Sequence, residues 1–489
     1  MILLYFLCVL YGMGMMFILV YSVAQGHLLF HFLKAEKIRD KLPPKTPEVW
    51  PQVTVQLPIF NELYVVERLM DAVARLNYPR ELLQIQILDD STDQTTDLIE
   101  SKLKEYPAIN FQYFHRTDRK GFKAGALRAG LEQASGEFVA IFDADFVPDP
   151  DFLLKTIPYF SSEKIGMVQT RWSHLNRDYS LMTQLQAIAL DTHFLIEQTG
   201  RNRQGAFINF NGTGGIWRKS CIYDAGNWHD DTLTEDLDLS YRAQGKGWEF
   251  VYRPEIESPA ELPPIMSAIK SQQFRWTKGG AECAIKHFGK VKEANLPLRI
   301  KFHSFAHLFN SVIFIAVLVA GLSSIGVWWA GEKGLIPSVW MQISGVFLIG
   351  FALIAGTYLV SFFFEGKSFV KSALTAIWQL PLFLSVSMGL SLHNSLAVWE
   401  GLTGKRSPFV RTPKFNLESG KGKLSGNNYL IHRKPLTTWM EGGLALVFWV
   451  MVALAFQAEN FLFLPFHAML AFGYSLVFVK SFNSYGLGR

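Results

Sequence analysis

The sequence predicts a mostly parallel α/β domain held between membrane-spanning helices. Two patterns predict it. Short β runs alternate with helical stretches through residues 51–300, and long apolar runs stand before and after that block. A third observation places chemistry on the domain. Acidic clusters close two of the β runs, Asp89-Asp90 and Asp143-Ala144-Asp145, and in a right-handed α/β sheet ligands bind beyond the carboxyl ends of the strands.

Composition supports this division. A chain of 489 residues exceeds the usual single domain. Its 49% hydrophobic and 14% aromatic content is too apolar for a wholly soluble protein, and 18% charged is too much for a pure membrane bundle. The charge is therefore segregated. A net charge of +5 gives no reason to expect a nucleic-acid partner. Cys8, Cys221 and Cys283 are scattered, odd in number and without metal spacing, as expected in a reducing compartment.

Residues 1–33 carry no charge before Lys34 and show neither a basic leader nor a small-residue cleavage site. They are long enough to span a bilayer. The linker 34–50 holds Lys34, Lys37, Arg39, Lys41 and Lys45, which places the following domain, 51–300, in the cytosol. Strands are expected at 53–59, 84–88, 111–114, 138–142 and 166–170, with amphipathic helices at 62–76 and 92–105 between them. The rest, 301–489, returns to membrane. Spans are expected at 305–329 and 339–364, and again at 442–456 and 461–479. Between these pairs, apolar residues 372–390 run into the amphipathic stretch 393–402. A full crossing there would put the basic loop with Lys405, Arg406, Arg411, Lys414 and Lys421 outside. Segment 372–402 is therefore read as re-entrant or interfacial.

Transfer of an activated sugar needs neutralisation of a departing diphosphate, a base for the acceptor hydroxyl, and an acceptor held in line. Asp143 and Asp145 offer two hard carboxylates at the end of an apolar strand, suited to Mg²⁺ or Mn²⁺; a solvated loop is the plainer reading of such a pair alone. Asp89 and Asp90 precede Ser91 and Thr92, so a helix cap and a nucleotide contact can share one turn. Lys123, between small residues, can approach a phosphate or stand as a surface lysine. Thr234-Glu235-Asp236 reads as a capped, acid-led helix start or as the place of a general base. Asn211-Gly-Thr-Gly-Gly215 lacks the ending of a phosphate-binding P-loop; Thr213 and Trp217 in and beside it can meet an acceptor or belong to a turn. In Gln272-Gln-Phe-Arg-Trp276, Gln272 can bond hydroxyls, Arg275 can fork onto a diphosphate, and Trp276 can stack on a sugar. An interfacial anchor is compatible with all three roles. One base and one metal suffice for a single inverting displacement. A two-carboxylate hydrolase would need neither the metal pair nor the spans.

Taken together these stretches resemble the processive family 2 glycosyltransferases of the cellulose synthase-like group, particularly glucomannan mannosyltransferases and xyloglucan-backbone glucan synthases. The resemblance lies in VTVQLPIFNE (53–62), ILDDSTD (87–93), GFKAGAL (121–127), AIFDADFVPDPDF (140–152), FNGTGGIWR (210–218), TEDLDL (234–239) and QQFRW (272–276). It implies a GT-A domain facing the cytosol and a polymer secreted through the membrane helices. It further implies Asp90, with Asp89, on the nucleotide, Lys123 by the diphosphate, and Asp143 and Asp145 holding nucleotide and metal (Mn²⁺ or Mg²⁺). Asp236 would be the base, Gln272 and Arg275 would serve the donor, and Trp276, Thr213, Trp217 and Glu235 the acceptor. Within the loop 405–420, Phe409, Thr412 and Lys414 match the family's gating pattern F-x-V-T-x-K, with Arg411 where valine is expected.

The implied reaction elongates a β-1,4-linked polysaccharide from UDP-glucose, favoured, or GDP-mannose, a close second. The implied setting is a multi-pass protein of the plasma membrane, or of the Golgi membrane in a eukaryote. The partners are a nucleotide-sugar donor, a growing polysaccharide and the lipid bilayer; no accessory subunit is legible. A single transfer to a lipid acceptor is the alternative within enzymes. A transporter with a degenerate sensor domain would have lost acids that are all present here.

Overall fold

The computed structural model describes residues 1–37, 45–342, 345–365, 368–407, 410–417 and 434–484. The α/β block contains one seven-stranded sheet in the order β3-β2-β1-β4-β6-β5-β7. The strands are β1 (Val53–Ile59), β2 (Leu83–Asp89), β3 (Phe111–His115), β4 (Phe138–Ile141), β5 (Ile165–His174), β6 (Gly215–Arg218) and β7 (Glu249–Ala260). The first five match the expected runs. The other two have no apolar signature. Strand β6 is four residues containing Gly and Arg, and β7 carries Glu249, Arg253, Glu255 and Glu257 along its length. All pairings are parallel except those of β6, which runs antiparallel to β4 and β5.

Both faces of the sheet are covered, as a parallel sheet requires. Val53, Val55, Leu57, Ile85 and Ile87 pack into one apolar cluster, and Val139, Ile141, Met167 and Trp217 into another on the opposite face. Polar residues at the alternate positions are paired with one another. Thr54 donates to Gln84 at 2.6 Å and Gln56 to Gln86 at 2.9 Å. Buried amides that are paired this way fix the register of β1 on β2. With Ile59 opposite Asp89 and Gln56 opposite Ile141, the acids after β2 and β4 come out on one rim.

Five helices among the described residues are long and apolar enough to cross a membrane. They are Ile2–Lys34, Val312–Glu332, Phe369–Gly389, Leu436–Gln457 and Leu464–Ser484, with a shorter apolar helix at Leu348–Phe364. The protein is a membrane protein. The run expected to span as 305–329 is divided into helices Leu298–Leu308 and Val312–Glu332. Gly14 of the first helix meets Ala316 and Ala320, a small-residue contact that lets two membrane helices approach closely. A 28-residue helix, Met266–Glu293, leads from the sheet to the membrane half and carries residues 272–276.

Helix Phe369–Gly389 ends where Gly389 lies against the backbone of Gly473, halfway along Leu464–Ser484. The next helix, Ser391–Leu402, starts with a bond between Ser391 and Tyr474 (2.7 Å) and ends with Gly401 against the Lys278 carbonyl. Helix Phe369–Gly389 thus ends, and Ser391–Leu402 begins, beside the middle of Leu464–Ser484. Of the basic residues used in the topology argument, Arg39, Lys41 and Lys421 lie outside the described residues, as does Phe409 of the gating pattern.

Candidate active site

The rim acids converge on a cavity of about 120 Å³. Its walls include Phe60, Glu62, Asp90, Arg119, Lys123, Asp143, Asp145, Arg275, Arg411, Thr412 and Lys414. Asp143 and Asp145 follow β4. The Asp143 amide donates to the Thr213 hydroxyl at 2.9 Å, which fixes the bend of the chain as it leaves the strand. Both carboxylates carry lysine ammonium groups: Lys123 lies 2.5 Å from Asp143 and Lys414 2.6 Å from Asp145. The oxygen donors of this pair therefore already take positive charge, and they are the hard type that Mg²⁺ or Mn²⁺ prefers. Elsewhere, His229, Asp231 and Asp238 come within 4.8 Å of one another. Asp238 there is already engaged by Arg242, Lys286 and His287.

Lys123 is the hub. It is the second residue of the helix Phe122–Glu132 and also donates to the Gly212 carbonyl at 2.9 Å, with Glu235 3.8 Å away. Burial pulls its pKa down, but Asp143 and Glu235 together hold it above the ordinary lysine value. Gly212, at φ +79°, brings the 211–215 turn close; a methyl group there would stand 3.2 Å from the Asp236 Oδ2 and 3.4 Å from the Lys123 Nζ. Glu235 and Asp236 open the helix Glu235–Gly245. Burial, and then the Glu235 charge, push Asp236 up to about 7, while Lys123 pulls it down. Glu235 rises for the same first reason, against the same ammonium. Arg275 is lowered to about 10 by burial, although Asp143 and Glu235 oppose this. An acid near neutrality beside a cation is what a general base requires.

Other expected site residues have different surroundings. Trp217, expected to offer a face to a sugar, is fully buried in β6 between Phe210, Trp228 and Phe250. A strand at the centre of a sheet covered on both faces leaves no ring exposed. Thr213 is also buried, and its hydroxyl is spent on Asp143. Asp89 is fully buried and bonded by Thr96, Tyr113, His115 and the Ser91 amide, which makes it a structural pin. Asp90 faces the cavity, but both its oxygens are forked by Arg116 (2.7 and 2.6 Å). The expected helix caps Ser91, Thr92 and Thr234 do not cap. The helix after β2 begins at Thr95, where Asp93 accepts from the Thr95 amide, and Thr234 makes no cap bond.

The 272–276 run divides between two places. Arg275 reaches the cavity, and its guanidinium donates to the Val410 carbonyl at 2.7 Å. Gln273 lines a second, largely aliphatic cavity of about 320 Å³ among the membrane helices, with Ile18, Tyr21, Glu197, Phe351 and Met469. The Trp276 ring lies 6.5 Å from that of Trp172 near the end of β5. Gln272 is half-buried on the same helix. Sequence reasoning missed Trp172, Arg116, Arg119, Glu62 and Glu261. Of these only Glu62 stands in a stretch that carried the resemblance, and none follows a periodic pattern.

The chain is similar to known proteins over the α/β block and beyond it. A family model described as "Glycosyltransferase like family 2" matches residues 51–279. "Glucomannan 4-beta-mannosyltransferase 1" of Oryza sativa subsp. japonica is 44% identical over 292 residues, covering 57% of this chain and 56% of its own. "Probable glucomannan 4-beta-mannosyltransferase 3" of the same organism is 34% identical over 442 residues, covering 88% of this chain and 75% of its own. The matches at 44–47% identity span about half the length of those relatives. A solved mannosyltransferase from Pyrobaculum calidifontis, in complex with GDP-Man and Mn²⁺, superposes with a TM-score of 0.55 at 18% identity, over 81% of this chain and all of its own. The sheet, its rim acids and this superposition give a GT-A fold. The chain belongs to glycosyltransferase family 2, in its cellulose synthase-like group.

Proposed function

We propose that this protein is an inverting hexosyltransferase that elongates a β-linked polysaccharide from a nucleotide sugar and passes it into the membrane. The convergence of Asp143, Lys123 and Arg275 on one cavity, with Asp236 beside Lys123 at the Gly212 turn, carries this reading. Asp236 takes the proton of the acceptor hydroxyl. Lys123 and Arg275 face the leaving diphosphate, and Trp276 holds the acceptor ring by stacking. A divalent cation held by Asp143 and Asp145, when bound, supplies further charge neutralisation at the diphosphate. The names of the relatives move the first choice of sugar from glucose to mannose, so GDP-mannose is the donor to try first and UDP-glucose the second.

The donor site faces the cytosol in this reading, and segment 369–402 enters and leaves the membrane on that side. Residues 411 and 414 touch Glu62 and Asp145, so the chain has returned to the sheet's side by that point. The full-length protein, purified and given GDP-mannose, UDP-glucose or UDP-GlcNAc separately, tests the reading. The expected product is a chain from one hexose donor that a β-1,4-specific hydrolase degrades. A product confined to one sugar on lipid would overturn the polymerase reading.

A further inference from the structure

We propose that Glu62 is a positioning residue: by pairing with Arg411 it docks segment 410–417 over the donor pocket and sets Lys414 on the Asp145 carboxylate. This rests on the reading of Asp143 and Asp145 as the donor and metal site. The Arg411 Nε and Nη2 donate to the two Glu62 oxygens at 2.9 and 2.7 Å across 349 residues of sequence. Both side chains are nearly buried, 12% and 10% exposed. A two-pronged Arg–carboxylate pair fixes direction as well as distance, which a lysine or valine at 411 does not.

Two more contacts hold the same segment. Glu261, just after β7, accepts from the amides of Phe415 (2.8 Å) and Leu417 (3.1 Å), and Arg275 donates to the Val410 carbonyl. Lys414 lies between these anchors, its ammonium 2.6 Å from Asp145. With the segment in place, the pocket measures about 120 Å³. The Lys414 ammonium occupies a carboxylate oxygen of Asp145 that a donor-bound cation would need. Donor entry therefore moves Lys414 off Asp145, towards the diphosphate, while Arg411 on Glu62 keeps the segment in register. The arginine that departs from the family pattern thus has a partner and a task in this chain.

The test uses the full-length protein in lipid nanodiscs with GDP-mannose and Mn²⁺, reading GDP release. Glu62→Gln and Arg411→Val are each expected to raise the donor KM about tenfold or more, the worth of a charged hydrogen bond, with kcat changed far less. Arg411→Lys, which keeps the charge without the fork, falls between. The reversal Glu62→Arg with Arg411→Glu recovers donor KM relative to either single variant, which a merely structural role would not produce. Donor KM unmoved by Glu62→Gln and Arg411→Val, while Asp145→Asn abolishes donor use, overturns the proposal. If Asp145→Asn itself leaves donor KM and Mn²⁺ dependence unchanged, the donor-site reading fails, and this proposal with it.

Discussion

Replacing Lys123 by Met should move the pH dependence of turnover, and the structure sets the size of the move. The Lys123 Nζ and the Asp236 Oδ2 lie 3.4 and 3.2 Å from one common point beside Gly212, so they are no more than about 7 Å apart. Two unit charges at that distance in an effective dielectric of about 20 interact by about 2.4 kcal/mol. That is worth about 1.7 pH units on the carboxyl, and solvent at the half-open site reduces it. The sign follows from Lys123 being the group that pulls Asp236 down while burial and Glu235 push it up. Without the ammonium the carboxyl holds its proton to higher pH, and the base is available only above the new value.

The acid limb of kcat/KM reports this group in the free enzyme. It should shift upward by roughly one to two pH units in Lys123→Met and stay in place in Lys123→Arg. The assay is nucleoside diphosphate release by the full-length protein from about pH 5 to 9. Loss of donor affinity lowers the whole profile without moving the limb. An acid limb in the same place in Lys123→Met would refute Asp236 as a base coupled to Lys123.

Gly212→Ala places a side chain at φ +79°, which costs about 1–2 kcal/mol for a non-glycine residue. The added methyl also presses on Asp236, so kcat should fall by about 10²-fold, as ångström-scale misplacement of a catalytic group does; donor binding, by isothermal titration, should fall much less. Trp217→Ala should act on stability instead. Truncating a fully buried Trp costs about 3–5 kcal/mol, read as a lowered midpoint of thermal unfolding, while Trp217→Phe with normal acceptor kinetics would confirm that the ring serves the core.

Much of this was legible in the residues. Strand β1 and its neighbour β2 were found because apolar residues alternate along them, Val53, Val55 and Leu57 in one and Leu83, Ile85 and Ile87 in the other. Asp143 and Asp236 were singled out by the stretches that carry the resemblance, since an acid at a helix start or in a loop has ordinary structural reasons to be there. Strands β6 and β7 were not legible, since one is four residues long and the other alternates charge with apolar residues on a sheet edge. Trp217 misled for a related reason. Beside a glycine-rich turn its ring looks like a platform, and only the pairing of β6 between β4 and β5 shows that it points into the core. Glu62 and Glu261 become site residues only through contacts with a segment more than 150 positions away. No local pattern encodes such a contact.

The central claim is that Asp236 activates the acceptor in a hexosyl transfer at this site. Asp236→Asn in the full-length protein tests it most directly, with GDP-mannose binding and polymer formation measured on the same preparation. The account predicts donor affinity within a few-fold of the unaltered protein and polymer synthesis lower by about 10²–10⁴-fold, the usual contribution of a general base. Polymer formed at an unchanged rate by Asp236→Asn would contradict it.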